Sequence, residues 1–254
     1  MNLIKLFVSD LDGTLLGTLS ENLHFSRLWT ENTSKRNPGL VYSTGRLLAD
    51  TQQLVSKFKI PEPDFIISGV GTQIYDTFNN SILEDYSDLL KVDWDRKIVD
   101  EVISGLNINI TKQPNIWQSD LKSSWYLENG EPDQLALIQE NLMNTGLKFS
   151  VVYSSNRDLD ILPKNANKGR ALSWLLKFLH ISPEETVVAG DSGNDREMFQ
   201  INGVRGILVG NAQPELFQLA VQSNVYCSNA FGQFGVIEGL THYGLFEKNE
   251  NIVF

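Results

Sequence analysis

Asp10 and Asp12 stand two residues apart, immediately after the short apolar run at residues 3–9. In an extended chain that spacing puts both carboxylates on one side. Two close carboxylates repel unless a proton or a bound cation neutralises them. Hard oxygens favour Mg²⁺, which binds one or two carboxylates plus a phosphate. The frame Asp10-Leu11-Asp12-Gly13-Thr14 equally suits a solvated Asp-Gly turn. A second acidic pair lies in Gly190-Asp191-Ser192-Gly193-Asn194-Asp195, again after an apolar run. It offers a metal ligand with hydrogen bonds to steady it, or an N-cap cluster opening a helix. In Ser43-Thr44-Gly45-Arg46, the Thr44 hydroxyl and Gly45 amide at a helix start suit a phosphate oxygen, or merely cap the helix. Lys168, in Asn167-Lys168-Gly169-Arg170, opposes the dipole of the helix it opens. It needs a nearby anion there, unless it is a solvated surface lysine.

The elements that must position these groups alternate. Residues 3–9, 39–43 and 65–68 read as strands, with helices at 21–31 and 47–58 between them. The rhythm resumes with a helix at 168–179 and strands at 186–189 and 204–209. This alternation predicts an α/β fold, a Rossmann-like parallel sheet with helices on both faces. From about residue 82 to 162 the pattern changes to helices at 94–105 and 132–145 interleaved with strands at 123–127 and 147–153. That stretch reads as an inserted α+β module, residues 83–162, between core segments 1–82 and 163–254.

The 254 residues carry 31 acidic and 21 basic side chains, a net charge of −10. An acidic balance argues against nucleic acid and anionic membrane surfaces as partners. No apolar stretch approaches the roughly 20 residues of a membrane span, and the N-terminus is too short for a signal peptide, so a cytoplasmic location is expected. The lone Cys227 is expected to be a small apolar filler. His24, His180 and His242 fall outside every motif, without metal-ligand spacing.

Taken in order, the motifs resemble the haloacid dehalogenase-like phosphohydrolase superfamily. The phrases Tyr42-Ser-Thr-Gly-Arg46, Val70-Gly-Thr-Gln-Ile-Tyr75, Asp158-Leu-Asp-Ile-Leu-Pro163, Asn167-Lys-Gly169 and Asn211-Ala-Gln-Pro-Glu-Leu216 narrow the likeness to the sucrose-6-phosphate phosphatase family of cyanobacterial and plant type. The resemblance implies that Asp10 is the nucleophile, forming an aspartyl-phosphate, and Asp12 the general acid and base. It implies Mg²⁺ held by Asp10, the Asp12 main-chain carbonyl and Asp191, with Asp195 close behind. Thr44 and Lys168 would hold phosphoryl oxygens, with Gly45 and Arg46 beside them and Ser192 and Asn194 supporting the metal side.

A sugar phosphate is the implied substrate. Its recognition is expected from the inserted module, the cap that the resemblance implies, where Lys122, Ser124, Trp125 and Tyr126 lie on one strand-like stretch and Arg157, Asp158 and Asp160 on another. Polar groups there would pair with hydroxyls, while the aromatics, Trp117 included, serve either as sugar faces or as cap core. The sequence has Asn156-Arg157 where the family pattern often has Gly-Lys, which leaves the sugar open. Rival readings are a phosphatase of mannosylfructose, mannosylglycerate or trehalose phosphate, a phosphosugar mutase, and a catalytically silent partner of a sugar-phosphate synthase.

Overall fold

The structure, a computed structural model, describes residues 3–247 apart from 155, 222 and 223. Strand β1 (Leu6–Ser9) is buried along its whole length, so its residues serve two cores in alternation. Leu6 and Val8 enter one, Phe7 the other. A π-type turn (Leu11–Leu15) follows, then α1 (Leu19–Thr33), β2 (Gly39–Ser43), α2 (Leu48–Phe58) and β3 (Phe65–Ser68). The chain reverses through residues 69–72 into β4 (Gln73–Asp76) and β5 (Ser81–Ile82), followed by α3 (Glu84–Lys91). Next come α4 (Arg96–Ser104), β6 (Thr111–Lys112), β7 (Ser123–Tyr126), α5 (Pro132–Met143), β8 (Phe149–Ser154) and β9 (Asp158–Pro163). The last stretch holds α6 (Lys168–Phe178), β10 (Thr186–Gly190), α7 (Arg196–Phe199), β11 (Arg205–Leu208), β12 (Val225–Cys227) and α8 (Gly232–His242).

The larger sheet runs β12-β11-β10-β1-β2-β3-β4-β5. Pairing is parallel from β12 to β3 and antiparallel beyond. One face packs on α3, α6 and α7 through Tyr86, Leu172 and Phe199, and the other on α1, α2 and α8 through Phe25, Leu54 and Ile237. The connections step away from β1 in opposite directions, to β2 on one side and β10 on the other. This makes the carboxyl end of β1 a topological switch point, where open α/β sheets bind ligands.

The smaller antiparallel sheet runs β6-β7-β9-β8. Its period of two divides the strands cleanly. Trp125, Leu159 and Ile161 pack with Val99 and Ile103 of α4 and Ile138 and Leu142 of α5. Ser124 and Tyr126 are register partners of Asp160 and Asp158 and share the opposite face.

Several details depart from the sequence reading. The β4–β5 hairpin extends the larger sheet in antiparallel fashion. Its strands, of four and two residues, are too short to show alternation. Helix α3 lies within the span expected for the insert, yet its Tyr86 and Leu90 belong to the core of the larger sheet. Helix α2 starts at Leu48, so Thr44, Gly45 and Arg46 precede it rather than form its first turn. Cys227 is exposed rather than packed. Among the described residues, no helix is long and apolar enough to cross a membrane.

Candidate active site

Strand β1 delivers Asp10 to the switch point, and the Asp10 amide continues the sheet by donating to Ala189 O at 3.0 Å. The following turn needs a left-handed residue, supplied by Gly13 at φ 81°. A Cβ at Gly13 would lie 2.5 Å from Asp191 Oδ2, so conformation and space both demand glycine. Thr14, fully buried, donates through its hydroxyl to Asp191 Oδ1 at 3.0 Å.

Lys168 has no solvent exposure, and its Nζ donates to Asp10 Oδ1 and Asp195 Oδ1, each at 2.6 Å. These are the anions that a cation at a helix start requires. Asp195 spends its other oxygen on the amides of Asp191 and Ser192, both at 3.1 Å. It thereby fixes the loop that presents Asp191. The glycine-rich turn at 69–72 closes this assembly from the cap side. Gly71, at φ 85°, leaves no room for a Cβ against the Asn167 backbone, and its carbonyl accepts from Tyr86 Oη at 2.6 Å. Val70 holds a left-handed φ of 61°, a strained choice for a β-branched residue, tied by its amide to Thr44 O at 3.1 Å.

Asp10, Asp191 and Asp195 offer carboxylate oxygens that all lie within 4.8 Å of one another. Burial pushes the Asp10 carboxyl well above its usual range, against the pull of Lys168. Burial and then the Asp195 charge push Asp191 up to about 6. The Lys168 ammonium is held charged by Asp10 and Asp195 in spite of its burial. Such an excess of crowded negative charge fits a divalent cation with oxygen ligands. The Asp12 carboxylate is outside the cluster; the likeness that marked Asp12 as a ligand invokes its main-chain carbonyl.

The Asp12 side chain turns instead to Arg46, whose Nε and Nη2 donate to its two oxygens at 2.7 Å each. Asp50, one helical turn along, accepts from Arg46 Nη1 at 2.6 Å. The sequence reading placed Arg46 beside the substrate but not this clamp, whose partners are 34 residues apart. Thr44 is fully buried and accepts from the Arg46 amide at 3.2 Å.

The polar face of the smaller sheet roofs the site. Asp160 Oδ1 accepts from Ser124 Oγ at 2.6 Å and from buried Lys122 Nζ at 3.0 Å. Asp158 accepts from Gln113 Nε2 at 3.1 Å and pairs with Arg157, whose guanidinium lies 5.0 Å from the Tyr126 ring centre. One cavity of about 390 Å³ joins Asp10, Asp12 and Arg46 below to Lys122, Asp158 and Asp160 above. Gly45, Arg157, Ser192 and Asn194 also line it. Trp117 and Tyr126 face the cavity, whereas Trp125 is cap core. Gln113 and Gln213, which sequence reasoning missed, complete the wall. A second cavity of about 580 Å³ opens beside it, sharing Val70, Val152 and Gln213.

Comparison with known proteins makes this chain a phosphatase of the haloacid dehalogenase-like class. The sucrose-phosphatase of Synechocystis, solved in complex with sucrose and phosphate, matches with a TM-score of 0.83 at 30% identity, covering 97% of this chain and 100% of that one. The chain belongs to the sucrose-6F-phosphate phosphohydrolase family, whose family model matches residues 3–244. A mannosylfructose-phosphate phosphatase of Agrobacterium fabrum is 40% identical over 246 residues, 96% of this chain and 99% of that protein. Sucrose-phosphatase 1 of Nicotiana tabacum is 36% identical over 255 residues, spanning 94% of this chain and 59% of that enzyme.

Proposed function

We propose that the protein hydrolyses sucrose 6-phosphate to sucrose and phosphate, with Mg²⁺, through an aspartyl-phosphate on Asp10. The observation that carries this reading is the cavity that joins Asp10, Asp12 and Asp191 to the polar, aromatic face of the cap. Its volume of about 390 Å³ lies within the range of small-molecule sites. One end supplies phosphoryl chemistry, and the other supplies groups that pair with hydroxyls.

In the first step an Asp10 oxygen bonds to phosphorus as the bond from phosphorus to the sugar oxygen breaks. Asp12 gives its proton to that departing oxygen. In the second step water attacks the phosphorus, Asp12 takes the water's proton, and inorganic phosphate leaves with Asp10 restored. Lys168 spends two of its three donors on Asp10 and Asp195, which aims the nucleophile and leaves one donor for a phosphoryl oxygen. The Thr44 hydroxyl, buried beside the cavity-lining Gly45, would hold another. The Arg46 fork fixes the direction of the Asp12 carboxyl through two hydrogen bonds. Mg²⁺ would be held by Asp10, Asp191 and the Asp12 carbonyl with Asp195 behind, and it neutralises phosphoryl charge when bound.

In the cap, Lys122, Asp160 and Asp158 meet the sugar hydroxyls, and Arg157 on Tyr126 flanks them. A second reading, mannosylfructose phosphate as the substrate, is favoured by the 40% identity to a phosphatase of that name over 99% of its length. The two sugars differ in the hexose joined to fructose, so the phosphoryl chemistry is common to both. Phosphate release from a panel of sugar phosphates, with Mg²⁺ and with a chelator, separates them. Preference for sucrose 6-phosphate, lost on chelation, is the expected result. Preference for mannosylfructose phosphate moves the assignment to the second reading, and silence across the panel rejects both.

A further inference from the structure

The segment Asn211-Ala212-Gln213 follows β11 and touches both halves of the catalytic apparatus. Asn211 Nδ2 donates to Gly13 O at 2.8 Å, on the turn that carries Asp12. Its Oδ1 accepts from the Gly232 amide at 2.6 Å, at the first residue of α8. Two residues on, the Gln213 amide donates to Asp191 O at 2.7 Å. One short stretch therefore holds the main chain at Gly13 and at Asp191. The turn lies close to Asp191, since a methyl group added at Gly13 would overlap the Asp191 carboxylate. Below the turn, Gln233 Nε2 of α8 donates to Leu15 O at 2.8 Å, and Asn22 bonds both the amide and the carbonyl of Gly17.

We infer that Asn211 is a positioning residue for phosphoryl transfer, tying the Asp12 turn to the start of α8 and so setting where the Asp12 carboxyl stands relative to Asp10 and Asp191. A carbonyl released from its donor takes up a water partner, and the turn shifts with it. Misplacement of a catalytic group by about 1 Å costs on the order of a hundred-fold in rate. The step most exposed to such a shift is protonation of the leaving oxygen, because the proton must be handed over along one line. Asn211 is exposed, so its replacement does not open a cavity in the core.

This inference rests on the proposed reading of the site, and its test separates the two. Asn211→Ala removes both hydrogen bonds, whereas Asn211→Asp keeps the acceptor for Gly232 and puts an oxygen where the donor was. Each is compared with the wild-type protein, in Mg²⁺, on a sugar phosphate and on p-nitrophenyl phosphate, whose leaving group departs without a proton. The wild-type rate on the sugar phosphate tests the reading of function. The ratio of variant to wild type tests Asn211. In both variants kcat on the sugar phosphate is expected to fall by at least roughly ten-fold, with KM within about two-fold and a clearly smaller loss in the nitrophenol burst. An unchanged kcat in either variant overturns the inference. So does a loss carried by KM, or one of equal size on both substrates. Thermal melts run alongside, and a loss of activity that tracks loss of the folded state also counts against it.

Discussion

Lys168 and Asp195 form an ion pair at 2.6 Å in which neither side chain has any solvent exposure. The same ammonium reaches Asp10 at 2.6 Å, so one cation links the proposed nucleophile to the residue that braces the Asp191 loop. Buried pairs add little over an apolar substitute, but removing one partner strands the other. Lys168→Met should therefore abolish turnover and lower stability by about 3 kcal/mol or more. Urea unfolding alongside a phosphate-release assay checks both. Loss of activity at wild-type stability would mean that Lys168 is not needed to neutralise its neighbours.

The metal-free protein should lose stability as pH rises. The Asp191 carboxyl is pushed from 3.8 up to about 6, first by burial and then by Asp195, and Asp10 moves in the same direction. A folded state that holds its proton more tightly than the unfolded chain is favoured at low pH, and that advantage is lost as pH climbs through about 6. Melting temperature in a chelator should fall between about pH 5 and pH 7, and saturating Mg²⁺ should flatten or reverse the trend by binding the ionised form. A chelated protein whose melting temperature rises across that window contradicts this account.

Gly13→Ala combines a left-handed φ of 81° with a Cβ 2.5 Å from Asp191 Oδ2. The expected cost is about 1–3 kcal/mol in stability, with a fall in kcat because relief requires the turn or Asp191 to move. Calorimetry and steady-state kinetics on the purified variant test this, and wild-type values for both would refute it.

Asp160→Asn keeps the shape of the cap but weakens the hold on Lys122 and Ser124. The expected outcome is a rise in KM for the sugar phosphate of at least about ten-fold, as for a lost charged hydrogen bond, with p-nitrophenyl phosphate kinetics little changed. Equal effects on both substrates would place Asp160 in the phosphoryl chemistry instead.

The sequence exposes those parts of the site that are local. Asp10, Thr44 and Asp191 each follow a short apolar strand, and Lys168 opens an amphipathic helix, so apolar patterning alone marks where they fall. Pairings across long separations leave no such trace. Arg46 on Asp12, Gln113 on Asp158 and Asn211 on Gly13 span 34, 45 and 198 residues. Each depends on which strands become neighbours. Strand β6, beside Gln113, has two residues and shows no periodicity, and the β4–β5 hairpin is similarly brief. Helix α3 looks like part of the insert because polarity along a chain does not say which sheet a helix will cover.

The most direct test of the central claim is single-turnover phosphate release from sucrose 6-phosphate in Mg²⁺, comparing the wild-type protein with Asp10→Asn. The substitution conserves shape and removes the attacking oxygen. The account predicts rapid release by the wild type and none above background from a folded Asp10→Asn protein. Release at the wild-type rate from that variant would contradict it.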